Sequence, residues 1–220
     1  MSIDLYVGGT LAEWAVRNAP PPLVSRVICH DERLAQLARD HGFAVWQRDP
    51  HNRAFAPAPA ALSVHYPRIL RRELVDRYDG AIWNLHPGLL PWGRGMYPVF
   101  WALWEQTPAG ATLHELVARL DAGPIVEQRE VAVFDDDTGA GLHARVQAAE
   151  RELFVRWLPR LASAERPATS PQPPGGTYHA LAEFEHLRDE GRYEVPRAER
   201  ERLARCLTFD PRRSTAGVSP

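Results

Sequence analysis

GAIWNLHPGLLPWGRG, residues 80–95, runs from an apolar stretch into a loop of prolines and glycines. The apolar part predicts the end of a buried strand. In a strand, positions i and i+2 face the same side, so Asn84 and His86 project together from its last residues. A neutral amide and a titratable imidazole then share one spot. Pro87 and the glycines after it stop the strand and open a loop, which is where open parallel sheets collect their chemistry.

Working outward, the chain alternates strand and helix patterns. IDLYVGG (3–9) reads as a strand, LAEWAVRNA (11–19) as a helix ended by three prolines, and LVSRVICH (23–30) as a second strand. DERLAQLARDHG (31–42) reads as a helix closed by Gly42, FAVWQ (43–47) as a third strand and ALSVHY (61–66) as a fourth. RILRRELVDRYDG (68–80) is helix-like and leads into the quoted strand. Beyond the loop, MYPVFWALWEQ predicts a helix packing its aromatics on the sheet, with AGATLHEL and the alternating DAGPIVEQREVAVF as further strands. GLHARVQAAERELFVRWLPRL (141–161) predicts a long amphipathic helix. Such alternation predicts an α/β fold: a Rossmann-like, mostly parallel sheet with helices on both faces over 1–161. Residues 162–176 are proline-rich and read as a linker, and 177–220 as a small helical appendage.

At 220 residues the chain is long enough for one substantial core. A formal charge of −2 gives no argument for nucleic acid or an anionic membrane, and no apolar run has the length to span a bilayer. The first residues show no secretory pattern, and two distant cysteines, Cys29 and Cys206, make neither a disulfide framework nor a metal quartet. A soluble protein of the reducing cytoplasm is expected. All 26 basic residues are arginines, which excludes lysine Schiff-base chemistry.

A second polar set stands in GATLHELVARLDAGPI: Thr112, His114 and Asp121. Each alone has a structural explanation. A histidine in a strand is more often a hydrogen-bonded core residue, and an aspartate before a glycine turn is commonly a turn former. Together with Asn84 and His86 they gain weight, because Asn84, His86 and Asp121 are expected at the carboxyl ends of neighbouring elements of one sheet.

The motifs NLHPGLLPWGRG, TLH and DAGPI, in that order and spacing, resemble those of the formyltransferases that use N10-formyltetrahydrofolate, in register from about Ser63 to Glu130. Gly88 stands where many members have serine. The resemblance implies the formyltransferase fold, N10-formyltetrahydrofolate as formyl donor, no metal, and Asn84, His86 and Asp121 as the catalytic set. The chemistry suits these types: an amide to donate to the oxyanion of a tetrahedral intermediate, an imidazole to move a proton, and a carboxylate to orient that imidazole. It also implies that folate lies against Arg68, Ile69 and Leu70 and the loop from Val117 through Leu120 to Asp121. From the residues alone, RILRREL reads equally well as the first turn of a surface helix with Ile69 and Leu70 in the core.

The variant PWGRGMYPVFW together with GGTYHALAEFEHLRD resembles the branch that formylates nucleotide-linked deoxyamino sugars. Formylation domains of peptide synthetases, which act on an aminoacyl group on a carrier protein, resemble the same core. A hydrolase passing the formyl group to water would use the same residues. Tyr97 and Tyr178 are expected to contact the acceptor, whereas Trp101 and Trp104, at helical spacing, are assigned to packing. Without a basic arm, initiator tRNA is not expected as acceptor; a homodimer is left open.

Overall fold

The computed structural model describes residues 2–163, 166–189 and 197–208. Nine strands occur among them: β1 (Ile3–Val7), β2 (Val24–Ile28), β3 (Val45–Trp46), β4 (Ala61–Val64), β5 (Ile82–His86), β6 (Arg94–Gly95), β7 (Ala109–Glu115), β8 (Ile125–Val131) and β9 (Tyr178–His179). The α-helices are α1 (Ala12–Asn18), α2 (Glu32–Asp40), α3 (Arg72–Val75), α4 (Pro98–Glu105), α5 (Gly139–Ala162), α6 (Leu181–Asp189) and α7 (Arg197–Cys206). Seven strands form one sheet in the order β3-β2-β1-β4-β5-β7-β8, and β6 pairs with β9 in a separate ribbon. The first five strands of the large sheet are parallel, β7 runs antiparallel to β5, and β8, antiparallel to β7, returns to the direction of the first five, so the mostly parallel α/β sheet expected from the alternation is present.

Both faces of this sheet are covered, which explains why β1 is buried along its whole length instead of alternating. Ile3, Leu5 and Val7 join one cluster with α1, α2 and the inner side of α5, where Leu153, Phe154, Trp157 and Leu161 recur at helical spacing. Tyr6 belongs to the cluster on the other face with Ile28, Phe55, Leu70, Leu74 and Ile82. Local signals set the helix starts. The Asp31 carboxylate accepts from Leu34 N at 2.8 Å ahead of α2, and Thr138 Oγ1 accepts from Gly141 N at 3.1 Å ahead of α5. Asp4, fully buried in β1, is matched by Arg26 at 2.7 Å, the Tyr78 hydroxyl at 2.7 Å and Ala58 N at 2.8 Å. Its placement is structural, since buried charge survives only when paired.

Two expectations change. The helix after β4 begins only at Arg72, so Arg68–Leu70 are not its first turn; Leu70 is buried but Ile69 is 72% exposed. The segment read as a linker is fixed to the sheet where it is described: Ser170 forms an antiparallel bridge with Ile125. Proline prevents this run from forming a regular strand, but not from using isolated backbone groups. The appendage, described for 177–189 and 197–208, packs Phe184, Leu203 and Cys206 onto Phe100 and Trp101 of α4. No helix among the described residues is long and apolar enough to cross a membrane. Both cysteines are free and buried.

Candidate active site

The site follows from strand register. On β5, Trp83 and Leu85 face the α5 side while Ile82 faces the opposite cluster, so the period of two sends Asn84 and His86 with Ile82. On β7, Ala111 and Leu113 face the α5 side, leaving Thr112 and His114 on the same face as Asn84 and His86. The antiparallel pairing sets Asn84 opposite His114 and His86 opposite Thr112. Four polar side chains of two strands thus form a square on one face.

Asn84 Nδ2 lies 3.3 Å from His114 Nε2. His114 Nδ1 faces the Glu115 carbonyl at 2.8 Å, so that nitrogen carries the proton and Nε2 accepts from the Asn84 amide. Burial pushes the His114 imidazole down to about 4, with nearby His86 acting in the same direction and Asp121 opposing, so the ring is neutral at physiological pH. His114, absent from the catalytic set expected above, fixes the Asn84 amide; the TLH motif was its signal. His86 Nε2 is 2.9 Å from the Gly93 carbonyl and therefore donates to it, leaving Nδ1 turned toward Asp121. Thr112 donates to the Gly88 carbonyl at 2.7 Å and accepts from Leu90 N at 3.1 Å and Gln128 Nε2 at 2.9 Å, which anchors the start of the loop.

Asp121 differs from expectation in two ways. Because β7 runs antiparallel to β5, the carboxyl end of β7 lies away from that of β5, and Asp121 reaches the site on the β7–β8 loop. Its backbone is left-handed, with φ of +49°. Asp121 also does not hydrogen-bond the His86 ring: Oδ2 is 3.7 Å from His86 Nδ1 and Oδ1 is 3.7 Å from His114 Nε2. The Gly93 carbonyl orients His86 instead, while Asp121 sits between the imidazoles with Oδ2 accepting from Gly95 N at 2.9 Å.

Of the expected folate contacts, Arg68 and Ile69 are exposed and Leu70 is buried; Val117 is half-buried and Leu120 is 42% exposed. Leu116, at the start of the Val117–Leu120 stretch, packs against the cluster holding Leu70, so both segments border the same face. Tyr178 is 54% exposed. One face of Tyr97 is taken by Phe184, ring centroids 4.0 Å apart, which narrows the free ring surface expected there. Trp101 is buried and stacks on His179 at 3.7 Å, as a packing residue should.

The carboxyl ends of β1 and β4, where the strand order reverses, carry a polar group the sequence did not single out. His65 Nε2 is 2.6 Å from Glu150 Oε1, Glu150 is fully buried, and Gln147 Nε2 donates to Thr10 Oγ1 at 2.9 Å. Burial alone would lower the His65 pKa, but the charge and hydrogen bond of Glu150 outweigh it and raise the value. His143, buried nearby, is pushed down to about 4 by burial and by His65. A cavity of about 650 Å³ lies elsewhere, between the end of β8 and α7, and shares no residue with the Asn84–Asp121 cluster.

This sheet and cluster, an amide donor beside two imidazoles and a carboxylate, have the chemistry that acyl-type group transfer on an α/β fold requires. The chain belongs to the formyl transferase family, whose model matches residues 49–158. Among solved structures it is similar to the formyltransferase PseJ from Anoxybacillus kamchatkensis, solved in complex with UDP-4,6-dideoxy-4-formamido-L-AltNAc and tetrahydrofolate. The two are 25% identical, with 91% of this chain and 96% of that chain covered and a TM-score of 0.63. A sugar N-formyltransferase from a Shewanella species is 23% identical, with coverage of 96% and 91% and a TM-score of 0.76. An N-formyltransferase from Helicobacter canadensis, in complex with folinic acid and dTDP-3-aminofucose, is 17% identical, with coverage of 95% and 81% and a TM-score of 0.75. The last two likenesses are ones of fold.

Proposed function

We propose that the enzyme transfers the formyl group of N10-formyltetrahydrofolate to the amino group of a nucleotide-linked deoxyamino sugar. The observation that supports this acceptor class is the similarity to PseJ over nearly the whole of both chains. The amine nitrogen attacks the formyl carbon, and the bond from that carbon to N10 of the folate breaks. Asn84, with one amide N–H committed to His114, gives the other to the oxyanion of the tetrahedral intermediate. Such a donor is worth ~2.7–4 kcal/mol in comparable sites. His86 accepts the amine proton at Nδ1, the nitrogen that Gly93 leaves unoccupied, and returns it to N10 as that nitrogen leaves. Asp121, 3.7 Å from Nδ1, stabilises the imidazolium formed between these transfers.

Folate rests against Arg68, Ile69 and Leu70 on one side and Val117 and Leu120 on the other. Exposed apolar surface at Ile69 and Leu120 fits a flat heterocycle. Tyr178 and Tyr97 lie toward the acceptor. The test is to incubate the enzyme with N10-formyltetrahydrofolate and, separately, UDP-4-amino-4,6-dideoxy-L-AltNAc, dTDP-3-aminofucose, an aminoacyl carrier protein, or no amine. Formylation of a sugar nucleotide is expected. Release of formate without amine, or formylation of the carrier alone, overturns the reading.

A further inference from the structure

Residues 166–179 lie across the two loops that carry the site. Ser170 exchanges both backbone hydrogen bonds with Ile125, at 2.7 and 2.9 Å, on the far side of the Asp121 turn. At the other end of the segment, Thr177 donates its N–H to the Pro91 carbonyl at 3.1 Å, and its own carbonyl accepts from Arg94 N at 3.1 Å. Thr177 Oγ1 accepts from Gly93 N at 2.9 Å. The approach is close enough that a Cβ on Gly176, whose φ is +84°, would lie 2.0 Å from the Pro91 carbonyl oxygen. β9 then pairs with β6.

Between these anchors stands Gln172, with its whole amide engaged. Nε2 donates to the Asp121 carbonyl at 2.7 Å and the Gly123 carbonyl at 2.9 Å, while Oε1 accepts from Arg94 Nε at 2.9 Å and Nη2 at 2.7 Å. Only one orientation of the amide fits, since the carbonyls require donors and the guanidinium requires an acceptor. The residue it grips is a strained one: Asp121, like four other described non-glycine residues, has a left-handed backbone, which costs free energy unless its surroundings over-determine it. The next residue after Arg94, Gly95, supplies the N–H that holds the Asp121 carboxylate. One side chain therefore ties the backbone of Asp121 to the loop that binds its carboxylate.

We propose that Gln172 is a positioning residue for formyl transfer, holding the Asp121 turn against the Arg94–Gly95 loop so that the carboxylate stays between His86 and His114. The proposal rests on Asp121 being catalytic, and the experiment separates the two. Gln172→Ala, Asp121→Ala and the double variant are compared with wild type by steady-state turnover of N10-formyltetrahydrofolate with the sugar nucleotides named above. Amide hydrogen exchange at Gly95, which needs no acceptor, is read in parallel. Gln172→Ala is expected to lower kcat on the order of tenfold, with the donor KM changed less than about twofold. In the Asp121→Ala background the same change should cost less than about twofold, because residues acting through one another are not additive. Gly95 exchange should quicken on the order of tenfold in all three variants alike. Gln172→Glu keeps the acceptor for Arg94 but faces two carbonyls with an oxygen, and should behave like Gln172→Ala. Equal losses in both backgrounds, unchanged kcat, or unchanged Gly95 exchange in Gln172→Ala overturns the positioning role. Wild-type turnover in Asp121→Ala refutes the catalytic assignment instead, and the exchange data still decide whether Gln172 holds the turn.

Discussion

A methyl group added at Gly88 tests whether His86 sits where its chemistry requires. A Cβ at that position lies 2.7 Å from His86 Nε2, 3.0 Å from Cδ2 and 3.1 Å from Pro98 Cβ. Carbon contacts are most favourable at about 3.5–4.0 Å, so the overlap with the ring tip approaches ~1 Å. Nε2 is also the atom that donates to the Gly93 carbonyl at 2.9 Å. The imidazole relieves the overlap only by swinging out of that bond or by moving the loop with it. Overpacking of this kind costs about 1–3 kcal/mol, and leaving a buried donor unmet costs about the same; these are two descriptions of one relief and are not summed. For a chain of this size each kcal/mol shifts Tm by about 2–4 °C, so Gly88→Ala should melt roughly 2–12 °C below wild type. Its kcat should fall on the order of 10- to 100-fold, because a displacement near 1 Å in a reacting group carries that penalty. Differential scanning calorimetry and steady-state kinetics on the purified variant check both. A variant within about 1 °C of the wild-type Tm and twofold of its kcat refutes either the described ring position or the role of His86.

Other predictions follow from the same geometry. His86→Ala and Asp121→Ala should each cut turnover far more than they weaken folate binding, measured by titrating folate against each variant; a variant with wild-type turnover loses its assigned role. Tyr178→Ala should raise the acceptor KM, by an amount corresponding to ~1–3 kcal/mol if a nucleotide base stacks there, and leave the donor KM unchanged; equal effects on both titrations argue against contact with the acceptor. The raised pKa of buried His65 gives a pH signature of stability. The folded state holds its proton more tightly than the unfolded chain, so the contribution is full below the unfolded value of about 6.5 and is lost as pH rises through the higher folded one. Urea midpoints should fall over that window in wild type. The fall should vanish in Glu150→Gln, where no carboxylate retains the proton, and parallel pH profiles would refute the pairing.

The division between what was legible in the chain and what was not follows the range of the forces involved. Strand β5, its stop at Pro87 and the shared face of Asn84 and His86 were readable because they depend on neighbours one or two residues away. The same holds for the helices with apolar spacing and a cap, such as α2 and α5, and for the alternation that dictates a sheet covered on both sides. The helix reading of Arg68–Leu70 failed because tertiary contacts with the cluster below β4 claim Leu70 alone and leave Ile69 outside. Which face of β7 meets β5, and in what register, is a pairing between residues some thirty positions apart; a slip of one residue would have sent His114 into the α5-side core. The antiparallel direction of β7 was equally invisible, and it is why Asp121 arrives on a returning loop in a left-handed turn. Gln172 is the extreme case. In a proline-rich run no periodicity marks one glutamine above another, and its importance arises only because the chain crosses back over two loops whose unsatisfied carbonyls and guanidinium match one amide. Local periodicity thus determined the elements and two of the three proposed catalytic residues, Asn84 and His86, while long-range register and the need to satisfy buried polar groups decided how the cluster is assembled and held.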